Sequence, residues 1–330
     1  MNRSEVAKSG NKIYSASKLQ FSGVDGYDVY NCSIPFVWDG KSYIFGRVEK
    51  RSRWAESWVY LFEKTGEDEY TAVKDRMYQL EDPYVFIVDG ELILGGTHVT
   101  KIGGEVQSFC SYFYRGTDVR DLTYFTSGVD GMKDVRLTLL ANGKIGVFSR
   151  PRGIHIREQY GSESMIGFAT IDSIDQLVPN VIANAEYISG IFENGQWGGC
   201  NQAYLLKNGK IGVIGHLSNK IARTDGSGEL LSYKNIAFVF NPEKMQATHL
   251  HVIATRSDYP EGPSKKAELE DCAFTSGIEM RDDGKVNLYS GIGDCEEGRV
   301  VIDDPFAEEG GILACSDGRT AQKTTASHHR

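Results

Sequence analysis

The sequence predicts an all-β chain folded as a five-bladed β-propeller with a central active-site pocket. Three observations carry this. The hexapeptide NGKIGV occurs twice, at 142–147 and at 208–213. Five Asn-Gly or Asp-Gly pairs lie between apolar runs, with their glycines at Gly40, Gly90, Gly143, Gly209 and Gly284, and such pairs are the strongest short-range hairpin signal. Their intervals are 50, 53, 66 and 75 residues, each long enough for one sheet of three or four antiparallel strands, the spacing of propeller blades. A sandwich or barrel has no reason to repeat the hexapeptide.

The elements follow in order. VWDGKSYIFGRVE forms the first hairpin and SWVYLFEK the next strand. IVDGELILGGTHV is followed by SFCSYFYRG, and LANGKIGVFSRPRG by SMIGFATI. LKNGKIGVIGHLS leads to NIAFVF and HLHVIAT, and MRDDGKVNLYSGIGD closes the series. Helical periodicity is weak, with IDSIDQLVPNVIANA the best candidate for a short helical turn. Residues 1–316 are expected to form one domain, with the N-terminal segment completing the ring. Residues 317–330 read as a disordered polar tail.

Composition agrees with strands and turns. There are 37 Gly against 8 Pro, and 17 Tyr with 15 Phe favour strands over helices. The net charge of −9 repels nucleic acid and anionic membranes, so neither is an expected partner. No apolar run approaches the length of a membrane span, and the N-terminus lacks the apolar stretch of a signal peptide, so a cytoplasmic location is expected. Six cysteines without CxxC spacing read as free thiols in a reducing compartment, and no metal site is expected. Neither a P-loop nor a dinucleotide fingerprint is present, so no cofactor is expected.

The hairpin glycines also index a site. A strand rises about 3.3 Å per residue, so residues eight or nine before each glycine and seven to ten after it share the open end of the hairpin. Before the turns stand Asn31, Asp82, Asp134 and Asn201, and the fifth unit, longer there, offers Ser276 at eight and Asp271 at thirteen. After them stand Arg47 with Glu49, His98, Arg150 with Arg152, His216 and Asp294. Inner strands of a propeller converge on its axis, so these groups would ring one mouth. Asp82, in LEDPYV, is the best acid: Pro83 fixes the backbone and Tyr84 would supply an aromatic wall. Burial would hold a proton on it for a leaving oxygen. Hydrolysis would need a second carboxylate, for which Asp134, Asp271 and Asp294 are candidates. Yet Arg47, Lys133, Arg150, Arg152 and His216 gather at the same mouth of an acidic chain. Arginine forks bind phosphate bidentately, so the cations suit a phosphorylase or a transferase using a sugar nucleotide. Trp54 and Trp58 fit rim packing, or a surface for sugars or partners.

Five ordered segments carry a family resemblance. NCSIPFVWDGKSYIFGRVE, LEDPYVFIVDGELIL, KDVRLTLLANGKIGVFSRP, WGGCNQAYLLKNGKIGVIGH and FTSGIEMRDDGKVNLYSGIGD resemble the motifs of glycoside hydrolase family 130, the β-mannoside phosphorylases. The likeness spans residues 30–305. Tyr84 stands where that family usually has Arg, Ser149 where a His is common, and the loops are shorter. These departures are more similar to the related mannosyltransferase–phosphorylases of glycosyltransferase family 108. The resemblance implies inverting, reversible transfer of mannose between a β-1,2-mannooligosaccharide and phosphate, through α-mannose 1-phosphate. It makes Asp82 the catalytic acid, with the proton passing directly or through a sugar hydroxyl. It places Lys133, Arg150 and His216 on phosphate and Asn31, Arg47, Glu49 and Asp294 on sugar. Asp134 and Gln202 join the substrate-binding set on offset alone. The implied partners are a mannose-containing oligosaccharide and inorganic phosphate or mannose 1-phosphate, with a nucleotide-mannose donor as a further option. A propeller hydrolase and a non-catalytic sugar-binding propeller are the alternatives.

Overall fold

The computed structural model describes residues 11–314 other than 75 and 224; the tail expected at 317–330 lies outside the described residues. Five sheets radiate from a common axis. In blade 1, Lys41–Glu49 pairs inward with Asp28–Tyr30 and Phe36–Trp38 and outward with Trp58–Lys64. Blade 2 runs outward through Glu81–Val88, Glu91–Ile102, Glu105–Gly116 and Thr123–Ser127. Blade 3 runs through Arg136–Leu139, Ile145–Ser149, Ile166–Ile171 and Glu186–Ile188. Blade 4 runs through Trp197–Leu206, Ile211–Ala222, Glu229–Asn241 and Gln246–Ala254, with Ile312–Ala314 added to its inner strand. Blade 5 is Ala273–Met280, Lys285–Ile292 and Glu296–Asp303, and the N-terminal strand Ser15–Lys18 pairs antiparallel with the last of these. The N-terminal strand thereby joins the last blade, next to blade 1, and closes the ring.

Each blade is packed between two others, so its middle strands are buried on both faces and read as nearly continuous apolar runs. The apolar core is correspondingly divided into interfaces. Phe36 and Phe45 meet Val85 and Leu94 between blades 1 and 2. Phe86 and Ile93 meet Leu137 and Val147 between blades 2 and 3. Phe148 and Phe168 meet Val213 and Phe240 between blades 3 and 4. Ile214 and Val239 meet Leu288 and Val300 between blades 4 and 5. Tyr289 reaches Val29 and Ile44 between blades 5 and 1.

The repeated NGKIGV has a physical reason in this packing. Its first glycine, Gly143 or Gly209, turns the hairpin at φ +81° or +82°. Its second, Gly146 or Gly212, leaves room for a ring: a Cβ there would lie 2.7 Å from Phe168 or 2.8 Å from Phe306. The five turns are of two kinds. Asp39-Gly40 and Asp89-Gly90 have positive φ at both residues, as a two-residue hairpin turn requires. In the other three, the side chain of Asn142, Asn208 or Asp283 caps the backbone N–H two residues on. IDSIDQLVPNVIANA holds two short helical turns, Ile174–Gln176 and Pro179–Ala183. A further helix, Ile154–Tyr160, has no counterpart in the sequence reading.

Candidate active site

At the end of the ring opposite the hairpin turns, the inner strands depart from regular geometry. Asn31, Asp82 and Asp134 take left-handed backbone angles of +47°, +50° and +57°. Asn and Asp enter this region more readily than other side chains that carry a Cβ. Asp82 and Pro83 together oppose one residue of the next strand, a bulge, and Asn201 and Ser276 are bulged likewise in blades 4 and 5. Bulges re-aim side chains and cluster at active sites. Pro83, with no N–H to donate, is tolerated because it sits in one. Asp294 follows Gly293 in a tight turn, with φ of +55° and +62°.

These departures frame one axial cavity of about 950 Å³, to which every blade contributes. Asn31, Arg47, Asp82, Lys133, Arg150 and Asp294 all line it. Arg152 does too, while Glu49, Asp134, Gln202 and His216 are buried behind the lining. The matching offset does not bring in three others. His98 stacks on Tyr112 at 4.3 Å, Asp271 is buried away from the cavity, and Ser276 donates to Glu297. The aromatic wall expected from Tyr84 is absent. Its ring is buried between blades 2 and 3, where Gly95 makes room for it and the Arg136 guanidinium lies 4.7 Å from its centre.

One wall of the cavity is acidic. Asp82 Oδ1 accepts from Asn31 Nδ2 at 2.8 Å and from Arg47 Nη1 at 2.9 Å. Arg47 also bonds Glu49 at 2.9 Å and Glu81 at 3.0 Å, so one guanidinium serves three carboxylates. Glu49 accepts from Ser57 and Tyr30 and pairs with Lys265 at 2.8 Å. Burial alone would raise Glu49, but Arg47, Lys265 and Ser57 outweigh it and bring its pKa to about 2. Burial prevails at Glu81 and Asp294, which are pushed above the ordinary carboxylate range, with Asp82's charge adding to both.

The other wall is cationic. Arg150 is paired with Asp134, and Arg136 Nη2 lies 3.5 Å from the second oxygen of that carboxylate. Burial opposes ionisation of Asp134, but Arg150, Arg136 and Lys133 hold it well below the usual range. Lys133 has no ion pair among the described residues. Burial, then Arg150, depress the His216 pKa well below its usual value and leave the ring neutral. His216 Nδ1 lies 2.7 Å from Asn201 Oδ1. Arg150 Nε, His216 Nε2 and Asn201 Nδ2 are buried with no hydrogen-bond partner among the described residues. Orphaned buried polar atoms are uncommon, and several together call for a ligand or water.

Sequence reasoning missed Glu81, Arg136 and Lys265. Glu81 adjoins Asp82, and its own partner, Arg47, is 34 positions away. Arg136 stands seven residues before Gly143, one short of the offsets that index the open end of the hairpin. Lys265 lies in the long insertion of blade 5, which the hairpin offsets do not index.

A propeller whose five inner strands deliver an acid and several cations to one axial cavity has the form of an enzyme site. The family described as protein of unknown function DUF1861 matches residues 5–308, and this chain belongs to it. No curated protein matches the sequence. Among solved structures, MPT-4 of Leishmania mexicana, a mannose phosphorylase in complex with a phosphate ion, is 48% identical with a TM-score of 0.87 over 92% of both chains. MPT-1 of the same organism, a GDP-Man-dependent mannosyltransferase, is 45% identical with a TM-score of 0.85 over 93% of this chain and 94% of its own. The resemblance to mannosyltransferase–phosphorylases is thus borne out. The β-1,2-mannobiose phosphorylase of Listeria innocua is 13% identical with a TM-score of 0.57 over 84% and 91% of the two chains, a likeness of fold alone.

Proposed function

We propose that this chain is an inverting β-mannoside phosphorylase and mannosyltransferase, moving mannose reversibly between a β-1,2-mannooligosaccharide and phosphate. The observation that carries the reading is the pairing of Asp82 on one wall with Lys133 and Arg150 on another, in the same cavity. Hydrolysis requires no such cations.

Oδ1 of Asp82 is already occupied by two donors, so a carboxyl proton belongs on Oδ2. From there it passes to the glycosidic oxygen, directly or through a sugar hydroxyl, as the bond from C1 to that oxygen breaks. A phosphate oxygen bonds to C1 from the opposite face and gives α-mannose 1-phosphate. In synthesis Asp82 takes the proton back. Lys133 and Arg150 hold the phosphate, and the unpartnered atoms Arg150 Nε and His216 Nε2 mark where its oxygens find donors. With its Nε2 as that donor, the neutral His216 ring accepts at Nδ1, from the amide of a rotated Asn201. Asn31, Arg47, Glu81 and Asp294 lie along the sugar, with Glu49, Asp134 and Gln202 supporting from behind. A cytoplasmic location suits the five described cysteines, all free thiols.

A second reading, transfer from a nucleotide-activated mannose, draws on the outer cations Arg152, Arg157, Lys220 and Lys266, which extend the positive surface toward the rim. Incubation with mannose 1-phosphate and mannose tests the first reading: phosphate is released and a β-1,2 linkage forms. Product formed only from the nucleotide sugar would favour the second.

A further inference from the structure

Trp54 lines the cavity yet exposes 53% of its surface. Burying an indole is among the larger apolar gains open to a side chain, so a tryptophan left this open is unlike a packing residue. Its position is built. Ala55, the next residue, is buried at φ +56°, an angle that costs about 1 kcal/mol or more for such a side chain. Lys101 Nζ donates to the Trp54 carbonyl at 2.8 Å and lies 3.6 Å from Glu56. Lys266 Nζ, from blade 5, sits 4.8 Å from the indole centre. Both flanks of this bridge end on one carboxylate. Ser57 donates to Glu49 Oε2 at 2.6 Å, and Lys265 meets Glu49 Oε1 at 2.8 Å. Glu49 therefore fixes the loop that carries Trp54 against the loop that carries Lys266.

Behind the Trp54 loop lies a second cavity of about 380 Å³, whose walls include Tyr27, Trp58, Tyr60 and Met77. Tyr27, Trp58 and Met77 expose 48%, 42% and 49% of their surfaces. Arg53 and Glu56, from the Trp54 loop itself, complete that wall, so a single turn of chain separates the two cavities. Exposed apolar side chains gathered in one place mark a binding surface. Aromatic faces flanked by charged side chains suit a pyranose: its C–H face packs flat on the ring while its hydroxyls meet the charges.

We propose that Trp54 with Lys266 forms a rim subsite for the part of a β-linked mannooligosaccharide beyond the sugar being transferred, and that the Tyr27–Trp58 groove carries its continuation. This rests on the mannosyl-transfer reading. The transferred sugar lies beside Asp82, at the inner strand ends, so the remainder of a longer chain leaves over the rim.

The test compares phosphorolysis of β-1,2-linked mannobiose and mannotetraose by the wild-type, Trp54→Ala, Trp54→Phe and Trp58→Ala proteins. The ratio of kcat/KM for tetraose over biose is expected to fall about tenfold in Trp54→Ala, mainly through KM, as loss of one stacked ring implies. It should stay near the wild-type value in Trp54→Phe and fall by a smaller factor in Trp58→Ala. An unchanged ratio in Trp54→Ala, with the wild type active, overturns the subsite and leaves the function standing. If the wild type shows no turnover, the transfer reading fails instead. Quenching of tryptophan fluorescence by mannotetraose then decides the rim: saturable quenching lost in Trp54→Ala supports it, and no quenching in the wild type overturns it.

Discussion

Arg47 Nη1 lies 2.9 Å from Asp82 Oδ1, and the same oxygen accepts from Asn31. The acid is held by two donors on one side and keeps its other oxygen for chemistry. Asp82→Asn keeps a residue that tolerates φ +50° and leaves Arg47 its pairs with Glu49 and Glu81. The folded state should survive and sugar binding persist, while kcat falls about 10³-fold, within the range for a lost general acid. Calorimetry with mannobiose beside steady-state rates checks both halves, and near-normal turnover would remove Asp82 from its role.

Arg47→Ala should do more than slow the enzyme. It strips three buried carboxylates of their shared cation, and breaking such a set costs about 3–5 kcal/mol. Arg47→Lys should rescue little, because one ammonium cannot span three partners as a planar fork does. Urea unfolding reads the difference. A loss below about 1 kcal/mol for Arg47→Ala would mean that water already screens the cluster.

Arg150→Ala is expected to act on phosphate before sugar. Asp134 keeps Arg136 nearby, so the fold retains a partner for that carboxylate. The KM for phosphate should rise about a hundredfold, as for a lost charge-assisted contact of about 2–3 kcal/mol, with a smaller change for the oligosaccharide. Equal losses for both substrates would show a collapsed cavity rather than a missing anion ligand.

Stability should peak in mild acid. Glu49, lowered from 4.5 to about 2, contributes stability that is present above 4.5 and is lost as pH falls through 2; Asp134 acts in the same direction. Glu297 is the opposite case. Burial raises it from 4.5 to about 7, and its side-chain bonds from Cys32 N and Ser276 Oγ hold the carboxyl without any cation. Its contribution is present below 4.5 and is lost as pH rises through 7, with a span of up to about 3 kcal/mol. Thermal unfolding from pH 3 to 9 should therefore show a maximum near pH 5. In Glu297→Gln the decline between 4.5 and 7 should be shallower; an identical slope would assign it to other groups, such as Glu81 and Asp294.

The ring itself was legible because turn chemistry is local. An Asn-Gly or Asp-Gly pair announces its hairpin whatever lies around it, and five of them set the blade count. The site was legible where the hairpin offset and the cavity coincide, as at Asp82, Arg47 and Arg150. It was not legible where a side chain's direction depends on the next blade. Tyr84 turned away because Gly95 opposes it and the Arg136 guanidinium packs on its ring. His98 has the right offset, yet its ring stacks outward on Tyr112.

The central claim is that phosphate, and not water, attacks the sugar carbon beside Asp82. Phosphorus NMR of the wild-type protein with β-1,2-mannobiose and inorganic phosphate tests it most directly. The account predicts a growing α-mannose 1-phosphate signal, matched one for one by free mannose and absent when phosphate is withheld. Mannobiose cleaved to two mannoses at the same rate with or without phosphate would contradict it.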